Sequence, residues 1–124
     1  MQITLIQTQP IPVALVRADM PLLASPGDAL ELLANVTWAQ QCSCLVLHRM
    51  DIHPDFFRLS TQLAGEVLQK FINYQARLAI VGDFSREQSP ALRDFIRESN
   101  RGRDIFFVST EEEALRRLND AATR

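Results

Sequence analysis

The chain has 124 residues, of which 47% are hydrophobic and 23% are charged. This length fits one domain, and a soluble domain of this size buries roughly two-thirds of the surface of its unfolded chain. Thirteen basic and fifteen acidic residues leave a net charge of −2, which favours neither nucleic acid nor an anionic membrane as a partner. We therefore expect one domain over residues 1–124, with a frayed tail at 120–124.

Strands are indicated at five places. Residues 2–7 and 11–17 are short and rich in β-branched residues, and Gln9-Pro10 separates them, so we expect an opening strand pair. The runs 42–48 and 77–81 are apolar enough for interior strands covered on both faces, and 104–108 is the last strand.

Helix starts are marked by capping residues. Ser25-Pro26 and Ser89-Pro90 place a capping hydroxyl before a proline, and Thr110 with Glu113 forms a capping box. The first helix is expected to bury Ala29, Leu30, Leu33, Ala34 and Val36. The order of elements is then β-β-α-β-α-β-α-β-α, which predicts an α/β domain whose mostly parallel central sheet is covered by helices.

Residues 60–74 are predicted to form the central amphipathic helix. Its apolar residues recur at helical spacing: Leu63, Ala64, Val67, Leu68, Phe71 and Ile72. Gly65 lies at the border of this stripe, where glycine costs about 1 kcal/mol relative to alanine. Close approach of another backbone would explain it, either within the domain or from a partner.

The two cysteines, Cys42 and Cys44, lie in the apolar run before the central helix. In a strand their Cα atoms would be about 6.6 Å apart on one face. The spacing is neither a CxxC motif nor half of a zinc site, so we expect buried free thiols. The N-terminus lacks a basic segment followed by an apolar stretch, and no apolar run approaches about 18 residues. A cytoplasmic protein is predicted.

Polar residues follow two of the interior strands. Asp51, His53 and Asp55 come after the first, and Asp83 and Ser85 after the second. Open α/β sheets bind ligands beyond the carboxyl ends of their strands, and carboxylate and imidazole are common metal ligands and proton carriers. A solvated loop with a capped turn at Asp55 is the favoured interpretation, because Pro54 interrupts regular geometry. No metal site is predicted.

Other ligand classes find less support in the sequence. Gly82-Asp83-Phe84-Ser85 holds one glycine and no following Lys-Ser/Thr pair, unlike a phosphate loop, and no cofactor is indicated. Five arginines between 86 and 103 are interleaved with acidic residues, as on a solvated face, which argues against nucleic-acid binding.

Adjacent phenylalanines occur twice. Phe106 and Phe107 lie in a strand, where neighbours point to opposite faces, so both fit a sheet that is buried on both sides. Phe56 and Phe57 are less easily accommodated together, and we expect one of them to contact a partner or a second copy of the chain.

Two resemblances extend this interpretation. The stretches DFFRLSTQLAGEVLQKFINY, LAIVGDFS and LRDFIRESNRGRDIFFV resemble an uncharacterised bacterial family, domain of unknown function family 4180, which implies no activity. More distantly, the order of elements is similar to that of STAS domains, found in sulfate transporters and anti-sigma factor antagonists. The regulatory serine of STAS domains begins the helix after the third strand, in an Asp-Ser-Ser-Gly type sequence. Here that segment reads Leu59-Ser60-Thr61-Gln62.

The STAS resemblance implies a single STAS-like domain in which Ser60 or Thr61 occupies a phosphorylation position. A hydroxyl there also has a plain alternative role in capping the helix, worth about 1 kcal/mol. The favoured function is a non-enzymatic regulatory or protein-interaction domain that uses the loop and first turn before helix 60–74. The alternative is a small enzyme or ligand-binding protein with a polar strand-end site around Asp51, His53 and Asp83.

Overall fold

The computed structural model describes residues 1–7 and 11–123. Its strands are β1 (Gln2–Gln7), β2 (Pro12–Arg17), β3 (Cys44–His48), β4 (Arg77–Val81) and β5 (Ile105–Val108). Its helices are α1 (Pro26–Leu33), α2 (Leu63–Asn73), α3 (Pro90–Arg101) and α4 (Glu111–Ala122). The predicted break at Gln9-Pro10 lies outside the described residues.

One sheet runs through the molecule in the order β1-β2-β3-β4-β5. β1 is antiparallel to β2, and every later pair is parallel. This arrangement confirms the prediction of an α/β fold with a mostly parallel sheet and four helices. Within the described residues, no helix is long and apolar enough to cross a membrane.

The sheet is buried on both faces. Leu45 and Leu78 point to the face covered by α1 and α2, with Phe95 and Ile96 of α3 packed against the same core. Val46 and Ala79 point to the other face, which α4 covers through Ala114 and Leu118. Phe107 and Phe106 divide between these two faces, as predicted.

The predicted capping residues begin their helices. The Ser25 and Ser89 hydroxyls accept the backbone N–H groups of Asp28 at 3.3 Å and Leu92 at 3.2 Å. The Thr110 hydroxyl accepts the N–H of Glu113 at 3.0 Å. These bonds satisfy donors that the first turn of a helix leaves unpaired.

The central helix differs from its prediction in where it begins and in one residue of its predicted buried stripe. It begins at Leu63, because Leu59–Thr61 forms a separate 3₁₀ turn and Gln62 adopts a left-handed backbone with φ of 63°. Ile72, predicted in the apolar stripe, is 43% exposed, whereas the other five stripe residues are buried. Ile72 lies in the last turn of α2.

Smaller differences occur elsewhere. In α1, Leu32 is buried and Leu30 is only half-buried. A π-helical turn at Ala34–Trp38 extends that helix and buries Val36. β3 starts at Cys44, so Cys42 lies before the strand, and both thiols are buried and free as predicted. α4 continues to Ala122, and the frayed tail and single-domain assignment stay predictions.

The outer edge of β5 is occupied by a side chain. The Asn100 amide, in the last turns of α3, accepts the N–H of Phe107 at 2.7 Å and donates to its carbonyl at 3.1 Å. One amide therefore takes the place of a further strand at this edge of the sheet.

Asn100→Ala should lower the free energy of unfolding by about 1–3 kcal/mol, because it leaves a buried donor and acceptor without partners. Urea denaturation measures the effect. Asn73→Ala is the matched control: Asn73 is exposed and bonds only within α2, to Gln69, so its loss should be within about 0.5 kcal/mol of neutral. Equal losses in the two variants would contradict this role for Asn100.

Candidate functional site

A groove opens beyond the carboxyl ends of β3 and β4. Their last residues, His48 and Val81, are paired in register, so the loops that follow lie side by side. The groove has a volume of about 580 Å³ and is lined by His48, Arg49, Met50, Ile52, Pro54, Phe57, Val81, Gly82 and Asp83. We call it the strand-end groove.

The Arg49 side chain contacts two aromatic rings and two hydrogen-bond acceptors at this groove. Its guanidinium carbon lies 4.8 Å from the ring centre of Phe57 and 4.9 Å from that of Phe84. Nη2 donates to Glu87 at 2.9 Å, and Nη1 donates to the carbonyl of Asp83 at 3.4 Å. Cation–π contacts and a charge-assisted hydrogen bond thus tie the β3 loop to the β4 loop.

The sequence interpretation missed Arg49 and Glu87. They are 38 residues apart, and neither belongs to a motif. The available signal was the pair of aromatic residues, Phe57 and Phe84, in two loops expected to be neighbours. His48, predicted as a hydrogen-bonded residue at the core edge, places Nε2 2.6 Å from Oε2 of Glu111 at the start of α4.

The predicted strand-end residues do not form one cluster. Asp51 is bonded to Arg17 at 2.7 Å and points toward the end of β2. His53 Nδ1 accepts the N–H of Asp55 at 3.0 Å and so caps its own turn. Of the three residues of the predicted polar site, Asp83 alone lines the groove.

Asp83 and Ser85 form a local turn. The Asp83 carboxylate accepts the Ser85 hydroxyl and also its backbone N–H, the latter at 3.1 Å. These bonds lower the pKa of Asp83, which is an exposed residue. Among the residues that the structure describes, no group of three acidic, histidine or cysteine side chains is arranged to hold a metal ion.

Ser60 and Thr61, which carry the candidate regulatory hydroxyls, are both exposed residues. Thr61 Oγ1 lies 2.9 Å from the carbonyl of Asp55 and 2.8 Å from that of Arg58, and it accepts the N–H of Leu63 at 3.2 Å. Thr61 thus has a structural role, because its hydroxyl joins the preceding turns to the first residue of α2.

The remaining interaction candidates separate by burial. Phe56 is 1% exposed and packs in the core, so only Phe57, which is half-buried beside Arg49, reaches the surface. Gly65 is exposed, and a Cβ built on it would meet nothing within 4 Å. Close packing within the domain therefore does not explain this glycine.

Gly82 is the glycine that the groove requires. A Cβ at Gly82 would lie 2.8 Å from Cβ of Arg49 and 3.3 Å from the ring of Phe84. We expect Gly82→Ala to lower the free energy of unfolding by about 1–3 kcal/mol, because Arg49 and its loop must shift. Chemical denaturation measures this loss.

Gly65→Ala is the matched control for the same added methyl group. It has open space and should raise stability by up to about 1 kcal/mol, since alanine favours a helix. Destabilisation by Gly65→Ala, or none by Gly82→Ala, would contradict the packing described.

The hydrogen bond from Arg49 lowers the pKa of Glu87 below the usual glutamate value of 4.5. The unfolded chain therefore binds more protons than the folded one in this range, and stability falls as the pH falls. We expect the stability advantage of wild type over Glu87→Gln to be full above pH 4.5 and to disappear as the pH falls through the lowered pKa.

Unfolding by urea at a series of pH values tests this expectation. Asp94→Asn is the control, because the Asp94–Arg97 pair is exposed and such pairs contribute little. A wild-type advantage over Glu87→Gln that stays constant between pH 7 and pH 3 would rule out the Arg49–Glu87 bond as its source.

Comparison with known proteins identifies a family. Residues 8–118 match the family described as "Domain of unknown function (DUF4180)". The match spans β2 to β5, the groove and the segment before α2. Searches of curated proteins and of solved structures found no match. Because the family model covers most of the chain, this protein belongs to the DUF4180 family.

Proposed function

We propose that this chain is a non-enzymatic protein-interaction domain whose partner binds residues 49–62, the entry segment between β3 and α2. One observation supports this most: hydrogen bonds and a buried ring hold the backbone of the segment, while several of its side chains are exposed. A fixed binding segment loses less conformational entropy on association than a flexible one.

The backbone is fixed by hydrogen bonds and by one buried ring. Three short turns follow one another, at Arg49–Asp51, Pro54–Phe57 and Leu59–Thr61. Leu22 bonds the segment twice, donating to the carbonyl of Asp51 at 2.7 Å and accepting the N–H of His53 at 2.8 Å. Phe56 anchors the middle turn in the core.

The exposed side chains suit a protein partner. Met50 is 80% exposed beside the strand-end groove, and methionine is enriched in the cores of interfaces. Phe57 and Pro54 line the same groove. A partner side chain inserted there would cover Met50 and contact Phe57, whose ring packs against the Arg49 guanidinium.

Ser60 and Thr61 lie at the end of this surface, where phosphorylation could regulate binding of the partner. Ser60 and Thr61 are exposed just before α2, where the positive end of the helix dipole favours an added phosphate. A phosphate adds about two negative charges, which would alter the contact with a partner. The STAS-like switch implied by Leu59-Ser60-Thr61-Gln62 is part of this proposal.

Affinity capture from the native cell tests the proposal. Ser60→Asp and Thr61→Glu should each weaken capture of a partner at least tenfold, because they add charge to the binding surface. Ser60→Ala and Thr61→Val are the controls that remove the hydroxyl without adding charge. Capture that is equal for wild type and both acidic variants would contradict the regulatory role.

The alternative function, a small enzyme or ligand-binding protein, has the size of the groove in its favour. A volume of about 580 Å³ lies within the range of small-molecule pockets. Of its proposed residues, Asp83 borders the groove, while Asp51 and His53 are engaged elsewhere. The interaction proposal also accounts for the exposed side chains of the entry segment that lie outside the groove.

A further inference from the structure

The two edges of the sheet differ in whether their outward backbone groups have hydrogen-bond partners. At β5, the Asn100 side chain occupies the backbone groups of Phe107. At β1, no strand pairs with the outer edge within residues 1–7 and 11–123. An open strand edge is a template for pairing with another chain, and proteins usually protect it with charges, proline or a covering element.

β1 carries none of those protecting residues. Its sequence, QITLIQ, contains no charge and no proline over six residues. Leu5 is 37% exposed and Met1 is 56% exposed, at the same edge. A strand with this composition would be prone to uncontrolled association if its edge stayed uncovered.

The direction of the backbone groups in β1 follows from contacts made by β2. The carbonyl of Pro12 accepts the Cys42 thiol, and the N–H of Ala18 points to Asp51. The backbone N–H and C=O groups of the even-numbered residues of β2 are therefore directed toward β3. The odd-numbered residues of β2 therefore bond to β1. Their register partners are Gln2, Thr4 and Ile6. The N–H and C=O groups of Ile3 and Leu5 are left directed outward.

We propose that a second copy of this chain covers this edge, with β1 antiparallel to its counterpart about a two-fold axis at Thr4. In this register Ile3 of each copy lies opposite Leu5 of the other, and their outward backbone groups exchange hydrogen bonds. Both side chains belong to the face that packs on the main core, because their partners in β2 are Val16 and Ala14. Two five-stranded sheets become one ten-stranded sheet.

A second copy suits this edge, because its own β1 presents the same uncharged strand with an exposed Leu5. Centring the axis on Thr4 sets Ile3 against Leu5 twice and involves no charged residue. Cross-strand apolar pairs each contribute roughly 0.2–1 kcal/mol. This dimer leaves the entry segment free, so it is independent of the proposed function.

Cysteine cross-linking tests the register. The two Thr4 residues form a pair without mutual hydrogen bonds, whose Cα atoms lie about 4.5 Å apart, within disulfide range. Thr4→Cys should therefore form a disulfide dimer of twice 14.1 kDa on a non-reducing gel. Gln2→Cys is the matched control and should stay largely monomeric on the gel, because the two Gln2 residues are far apart across the axis. The native cysteines are buried and give little background.

Sedimentation over a broad concentration series tests the interface without a cross-link. Wild type should have the dimer mass, and Thr4→Lys the monomer mass, because two like charges would lie opposite each other. Gln88→Lys adds the same charge at an exposed position away from β1 and should stay dimeric. Circular dichroism confirms that each variant is folded.

A monomeric wild type at every concentration would overturn the proposal and leave β1 to some other partner. A dimer that survives Thr4→Lys, or equal cross-linking by Thr4→Cys and Gln2→Cys, would overturn it as well, since the contact would lie elsewhere.

Discussion

Burial of the parallel strands on both faces is the constraint on which the rest of this structure depends. A parallel sheet is stable when helices cover both of its sides, and the side chains of β3 and β4 are apolar in both directions. Among the described residues, α1, α2 and α3 cover one face, and α4 covers the other. After each parallel strand the chain therefore crosses back over the sheet as a helix. The loops that begin these crossings all lie at the carboxyl ends of the parallel strands.

The strand-end groove is a consequence of that topology, and Arg49 gives it a defined shape. The loops after β3 and β4 would be neighbours in any such sheet, but neighbouring loops need not be rigid. Here one guanidinium lies between two rings and bonds Glu87, and Gly82 leaves the space that the Arg49 stem requires. The entry segment gains its fixed backbone from the same side, through Phe56 in the core and the two bonds to Leu22.

Local signals in the sequence predicted much of the fold, and contacts between distant residues account for what was missed. Ser25, Ser89 and Thr110 cap helices because capping needs only a hydroxyl a few residues from its donor. The apolar runs at β3 and β4 likewise report two-sided burial directly. The start of α2 was misplaced because Gln62, not a glycine, adopts the left-handed backbone, and no residue type marks that turn. Similarly, Arg49 and Glu87 meet only through the fold, and nothing near either residue indicates the other.

The two proposed interfaces have compatible geometry. An antiparallel pairing of β1 strands reverses the direction of every strand in the second copy, so the two strand-end grooves would lie at opposite ends of the strands in the ten-stranded sheet. Each groove lies at β3 and β4, two and three strands away from β1, so dimer formation covers neither. Such a dimer holds two partners apart, and binding to two sites on one assembly raises the apparent affinity only when their spacing matches that separation. In the proposed dimer, two bound proteins would therefore lie at opposite ends of the strands of the ten-stranded sheet.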